Sequence, residues 1–172
     1  PYRDMMEKAG KGCAEYILQS CGNFNTVCVL IGKGKNGGDG YVLSRYLANA
    51  GKKVFAVKMF DCESDSLSES MKDILPDSVE LLYLSDNKEK IFSLIEKCDI
   101  ITLHVPLLDS TRKMIDAEAI SKMKDGAIIL NFARDALVDD DAMEAALKSG
   151  KLRRYVTDFP NDRTAGMEGV IA

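Results

Sequence analysis

The chain has 172 residues, 46% of them hydrophobic and 29% charged, and a net charge of −4. That length suits one domain with its own core, and the absence of basic runs with interleaved aromatics argues against a nucleic-acid partner. No apolar stretch approaches the roughly 18 residues of a membrane span, and the opening Pro1–Glu7 segment has neither signal-peptide character nor an initiator Met.

In chain order, Met6, Ala9, Cys13, Tyr16 and Ile17 recur at helical spacing and predict a helix over 4–20. A β-branched run predicts strand one at 27–31. A helix over 40–50 follows, with Val42, Leu43, Tyr46, Leu47 and Ala50 on one side and Gly51 as its stop. Strand two is expected at 53–59, then a Ser/Asp/Glu-rich loop (61–68) and a short helix ending before Pro76. Strand three spans 79–84, and Ile91, Leu94 and Ile95 mark the next helix.

The second half repeats the rhythm. Strand four is expected at 99–105. A helix capped by Asp116 runs through Lys124 to Gly126, and strand five spans 127–132. Asp139 or Asp140 caps a helix to Ser149, closed by Gly150. Strand six is expected at 154–158, and 170–172 suits a last edge strand. Strands alternating with short helices imply an α/β fold: a three-layer, doubly wound parallel sheet in one Rossmann-like domain, with an extra N-terminal helix. Right-handed crossovers give the order 3-2-1-4-5-6, with the ligand crevice between strands one and four.

The five cysteines, at 13, 21, 28, 62 and 98, are odd in number and never form Cys-x-x-Cys. They read as reduced thiols of a cytoplasmic protein, if natural, rather than as disulfides or structural zinc.

The residues that carry most chemistry are Gly32-Lys33-Gly34-Lys35-Asn36-Gly37-Gly38-Asp39-Gly40, between strand one and its helix. Glycines at 32, 34 and 37 suit a bend that lets backbone approach a pyrophosphate, the alternative being a strand-to-helix turn with no ligand. The loop after strand four, His104–Ser110, would face this bend, with Arg134–Asp135 and Asp158–Pro160 on the same rim. His104 is the sole histidine and reads as a rim contact or a hydrogen-bonded structural residue. Arg134 fits a carboxylate or phosphate fork, or a surface pair with Asp135 or Asp139. Asp61 lies near where a ribose-binding acid is expected, within an acidic loop that also suits plain solvation.

Two family resemblances meet in these residues. Met6-Glu7-Lys8-Ala9-Gly10, Cys13-Ala14-Glu15 and the glycine stretch, with Lys35 in place of an Asn, resemble the NAD(P)H-hydrate epimerase family over about 4–98. That resemblance places Asn36 and Asp39 in its ligand and monovalent-cation region; no other metal site is expected. From about Cys98 the chain resembles the cofactor-domain half of D-2-hydroxyacid dehydrogenases, most closely those acting on 3-phosphoglycerate. The matching residues include Ile100-Ile101-Thr102-Leu103-His104-Val105-Pro106-Leu107, Ile129-Leu130-Asn131-Phe132-Ala133-Arg134 and Thr157-Asp158-Phe159. This second resemblance places Arg134 at the substrate-carboxylate arginine, with Asp135 where Gly is commoner, and Asp158 beside the nicotinamide.

Each resemblance is incomplete. Ile101–Pro106 replaces the segment that carries the epimerase's catalytic aspartate. The dehydrogenase's catalytic His would fall after Ala172, and Pro160-Asn161-Asp162-Arg163 departs from the pattern around its partner Glu. The expectation is therefore a hybrid domain, engineered or recombined, with a seam at 98–101. It would bind NAD, NADP or another small-molecule nucleotide weakly, through Gly32, Gly34, Asn36, Gly37, Gly38, Asp39, His104, Pro106, Arg134 and Asp158. No complete catalytic site is expected, Arg134 being a vestige of one, and an oligomer is compatible with the sequence. The alternatives are a fragment of an NAD-dependent D-2-hydroxyacid dehydrogenase, a hydrate epimerase, and a ligand-free scaffold.

Overall fold

The computed structural model describes residues 1–61, 66–86 and 88–172. Helix α1 (Tyr2–Ser20) leads into β1 (Thr26–Ile31), α2 (Lys35–Asn49), β2 (Lys53–Lys58), α3 (Ser66–Lys72), β3 (Val79–Tyr83) and α4 (Lys88–Ile95). The chain continues through β4 (Ile100–His104), α5 (Ala117–Ser121), β5 (Ala127–Asn131), α6 (Asp140–Ser149), β6 (Leu152–Thr157) and β7 (Val170–Ile171). All seven strands are parallel, in the order β3-β2-β1-β4-β5-β6-β7. The expected order holds and gains a seventh strand, at the place predicted for an edge strand.

The central strands read as continuous apolar runs because both faces are covered. Val27, Val29 and Ile31 of β1 pack with Met6 and Ile17 of α1, Leu43 of α2 and Met71 of α3. Cys28 and Leu30 point the other way, into a core with Ile91 of α4, Ile120 of α5 and Met143 of α6. Helix α1 is fastened to β6: Arg153 and Arg154 donate to the carbonyls of Cys21 and Ser20, at 2.7 and 2.9 Å.

Several element bounds differ from expectation, those of α2, α5 and β6 with a local cause. Helix α2 begins at Lys35, not residue 40, so Gly37, Gly38 and Gly40 lie inside it. Glycine disfavours a helix interior, but tight packing demands it here: a Cβ on Gly38 would fall 2.2 Å from Met6 Sδ. Helix α5 stops at Ser121 rather than Lys124. The bonds from Lys122 to Ala119 and from Met123 to Ile120 tighten its end into i to i−3 turns. Strand β6 starts two residues early, with a register shift opposite Ala127 and Ile128.

The predicted caps are in place. Asp116 Oδ1 accepts from the Ala119 amide at 2.8 Å, and Asp139 Oδ1 from those of Asp141 and Ala142 at 3.0 and 3.3 Å. Gly51, Gly126 and Gly150 all take positive φ. Of the acidic loop at 61–68, residues 62–65 lie outside the described residues, as does Cys62. The other four cysteines are free thiols. Among the described residues no helix is long and apolar enough to cross a membrane.

Candidate functional site

Strands β1 and β4 pair from Val27↔Ile100 to Ile31↔His104, so the bends that follow them emerge side by side. The Gly32 amide donates to the His104 carbonyl at 2.9 Å. A Cβ on Gly32 would stand 2.4 Å from Pro106 Cδ and 2.7 Å from Val105 Cα, so only glycine fits where the bends touch. A Cβ on Gly37 would lie 2.2 Å from the Gly32 carbonyl oxygen, which holds the start of α2 against the bend. Gly34, at φ 87 and ψ −168, occupies a backbone region open essentially to glycine alone.

This bend is a fitting cradle for a phosphate. The first amides of α2, at Lys35 and Asn36, have no acceptor within the helix and carry the positive end of its dipole. Ser68 of α3 donates to the Gly34 carbonyl at 2.8 Å and pins the bend from the side. Lys33 and Lys35 are exposed; the Lys35 ammonium sits 3.7 Å from the centroid of the Tyr2 ring, and Lys33 leans toward Phe60.

The other predicted residues divide into two groups. Gly38 faces Met6 of α1, and Gly40 lies over His104, where a Cβ would stand 3.2 Å from the imidazole Cγ. The His104 side chain is 3% exposed, beneath the bend rather than on the rim. Its Nε2 pairs with the Thr102 hydroxyl at 3.0 Å, and burial lowers its pKa to about 4. Its contribution to the crevice is therefore the carbonyl that receives Gly32.

Asp39 is half-buried, and that burial raises its carboxyl to about 6. It lies near Cys13 of α1, whose thiol rises to about 11 through burial first and then the charges of Asp39 and Asp158. Arg134 and Asp158 are exposed neighbours after β5 and β6; the Arg134 guanidinium lies 5.5 Å from the centroid of the Phe159 ring. Asp61 is exposed, three residues beyond the end of β2. Among the described residues no group of three or more His, Cys, Asp or Glu could hold a metal ion.

Sequence reasoning passed over Asn131, at the end of β5. Its Oδ1 accepts from the amides of Ala133 and Arg134, while its Nδ2 donates to the Arg134 carbonyl and the Tyr155 hydroxyl. It shapes the turn that presents Arg134. An Asn closing a buried strand three residues before the candidate arginine was the available signal. Also unforeseen is an apolar cavity of about 250 Å³ on the face opposite α2, lined by Leu30, Met59, Leu84, Phe92, Ile101 and Met114 among others.

A glycine bend opening a helix, facing a second bend at the reversal of strand order, defines a doubly wound domain of the dinucleotide-binding class. Residues 40–167 match the family of the D-isomer specific 2-hydroxyacid dehydrogenase, NAD binding domain, and the chain belongs to it. Among curated relatives, the (S)-sulfolactate dehydrogenase of Chromohalobacter salexigens is 36% identical over 94 residues, covering 51% of this chain and 30% of that protein. The D-3-phosphoglycerate dehydrogenase of Haemophilus influenzae is 46% identical over 68 residues, covering 39% and 17%. The chain thus spans less than a third of the length of these relatives. The fold superposes on a D-isomer specific 2-hydroxyacid dehydrogenase from Xanthobacter autotrophicus Py2 with a TM-score of 0.72 and 20% identity, covering 99% of this chain and 73% of that one.

The family match crosses the expected seam at 98–101 and takes in most of the first half. The dehydrogenase likeness is therefore not confined to the second half, and these matches lend no support to the epimerase resemblance or to a hybrid. Packing accounts for three of the residues on which the epimerase resemblance rested, Met6, Gly10 and Gly38. A Cβ on Gly10 would fall 2.5 Å from Val42 Cβ and 2.7 Å from the Asp39 carbonyl oxygen, while Gly38 receives Met6. Met6, Gly10 and Gly38 belong to one contact between α1 and α2.

Proposed function

We propose that this chain is the NAD(P)-binding part of a D-2-hydroxyacid dehydrogenase, the reading weighed above as an alternative to the hybrid. The observation that carries it is the bond from Gly32 to His104, which sets the glycine bend and the His-Val-Pro bend into one crevice at the carboxyl ends of β1 and β4. The bend and the first amides of α2 would hold the pyrophosphate. The cavity beside Met59 and Leu84, directly after β2 and β3, offers an apolar slot for the adenine ring. When bound, the nicotinamide would supply the hydride acceptor or donor.

On this reading Arg134 orients the substrate carboxylate. Its guanidinium is exposed and rests over Phe159, and Asn131 shapes the turn beneath it. A fork of N–H donors suits a planar carboxylate. Asp158, its neighbour across the rim, lies near enough to feel the guanidinium charge. The proton of the alcohol needs a further general base; His104 is buried beneath the bend and is not that group.

Titration of the purified chain with NADH, followed by fluorescence and thermal unfolding, tests the reading. Nucleotide at 100 times its dissociation constant should stabilise the fold by about 2.7 kcal/mol. Absence of any shift at millimolar nucleotide would leave the crevice a structural bend only.

A further inference from the structure

Gly34 is the last residue of the bend before α2, and its carbonyl receives three hydrogen bonds. The Gly37 amide donates to it at 3.0 Å and the Gly38 amide at 3.4 Å, within the first turn of the helix. The third bond is the shortest and comes from a different element: the Ser68 hydroxyl of α3 donates at 2.8 Å, across 34 positions of sequence. Ser68 is 0% exposed, so bulk water does not compete for this carbonyl.

A second glycine makes room for the hydroxyl. A Cβ on Gly38 would stand 3.0 Å from Ser68 Oγ, besides striking Met6. Helix α3 is in turn fixed to the sheet. Met71 packs in the core with Val29 and Ile31 of β1, and Glu69 pairs with Lys58 at the end of β2 at 3.2 Å. The sheet therefore holds the hydroxyl in place independently of the bend that it bonds.

The consequence for a ligand lies in the peptide group between Gly34 and Lys35. No peptide bond among the described residues is cis, and in a planar trans peptide the C=O and N–H point in opposite directions. Fixing the Gly34 carbonyl therefore aims the Lys35 N–H the other way, out of the helix and toward the place of a pyrophosphate. Gly34 has no side chain to restrain it, and its φ of 87 and ψ of −168 lie in a sparsely populated region. The bond from α3 opposes any turning of this peptide. It also leaves the Lys35 N–H a stronger donor, because hydrogen bonds in series polarise one another.

We infer that Ser68 is a positioning residue for the pyrophosphate of a bound nucleotide, acting through the Gly34–Lys35 peptide without touching the ligand. The inference rests on the nucleotide-binding reading above.

The test compares the unaltered chain with Ser68→Ala by titration with NADH and with adenosine, followed in proton–nitrogen correlation NMR spectra. NADH should bind Ser68→Ala about five- to tenfold more weakly, the worth of one hydrogen bond, while adenosine, which carries no phosphate, binds both proteins alike. The downfield displacement of the Lys35 amide proton on adding NADH should be smaller in the variant. Ser68→Cys, close in size and a much weaker donor, should behave as Ser68→Ala does and serves if that variant fails to fold. Equal affinity of parent and variant for NADH, an equal loss for NADH and adenosine, or an undiminished displacement of the Lys35 amide each overturns the inference and leaves the nucleotide-binding reading standing. Where adenosine binds too weakly to read, the Lys35 amide carries that distinction. Failure of the unaltered chain to bind NADH overturns both readings.

Discussion

Thr26 and Asp99 hold each other at the foot of the two central strands. The Thr26 amide and hydroxyl both donate to one Asp99 carboxylate oxygen at 3.0 Å, and the Asp99 amide donates back to the Thr26 hydroxyl at 3.1 Å. The Asn25 amide joins at 2.8 Å, and Lys124 pairs with the other carboxylate oxygen. This clasp sets the register of β1 against β4 and, five residues later, the meeting of the two bends.

Asp99→Ala should therefore destabilise the fold by about 1–3 kcal/mol, because it leaves part-buried donors without an acceptor. Burial alone would raise the Asp99 carboxyl, but Lys124, the two amides and the Thr26 hydroxyl outweigh it and hold the group well below its usual range. A depressed carboxyl contributes stability above its unfolded value, near pH 4, that is lost as the pH falls toward the folded value. Urea unfolding at pH 7 and at pH 3 checks both statements: the gap between Asp99→Ala and the parent should narrow at pH 3.

Gly34 and Gly150 both take positive φ, yet they should tolerate substitution differently. Gly150, at φ 76 and ψ 6, is in the left-handed region that Asn also visits, so Gly150→Asn should cost under about 1 kcal/mol. Gly34, at ψ −168, is outside that region, and Gly34→Asn should cost about 1–3 kcal/mol although its surroundings are empty. Thermal unfolding of the pair decides; equal tolerance would mean that the bend relaxes.

The Tyr41 hydroxyl is the one buried side-chain polar atom among the described residues that finds no hydrogen-bond partner. Leaving such a group unpaired costs about 1–3 kcal/mol, so Tyr41→Phe should be neutral or stabilising. A loss of stability in urea would reveal a partner for the hydroxyl.

His104 and Asp39 should pull the acid side of the stability curve in opposite directions. The buried imidazole resists protonation until about pH 4, whereas the unfolded one protonates near 6.5, so it removes stability as the pH falls through that window. The loss approaches about 3 kcal/mol at the lower end. Asp39, raised to about 6, instead gains stability as the pH falls from 6 toward 4. His104→Gln should flatten the parent's decline between pH 6.5 and 4, whereas Asp39→Asn should steepen it. Unfolding midpoints measured across that range check both.

Much of this architecture was legible because its signals are local. Asp116, Asp139, Gly51 and Gly150 stop or start helices through bonds within a few residues, and the strands announce themselves as unbroken apolar runs. Facing bends after β1 and β4 followed from strand order alone. The start of α2 was hidden because Gly37 and Gly38 weaken a helix by propensity, while the reason for them, the Gly32 carbonyl and Met6, lies elsewhere in the chain. At His104 the structural reading holds, since the imidazole is buried and bonds Thr102; only its lid, Gly40, comes from another segment and was illegible.

The clasp of Arg153 and Arg154 on the end of α1 bears on how this domain comes into being. Partners 132 and 134 positions apart cannot meet until β6 has been made and has cleared the ribosome. Until then α1 has β1 and α2 to rest on, without the bonds that fasten its end. Contacts of such long separation slow the search for the native state, so α1 should be among the last elements of the domain to settle.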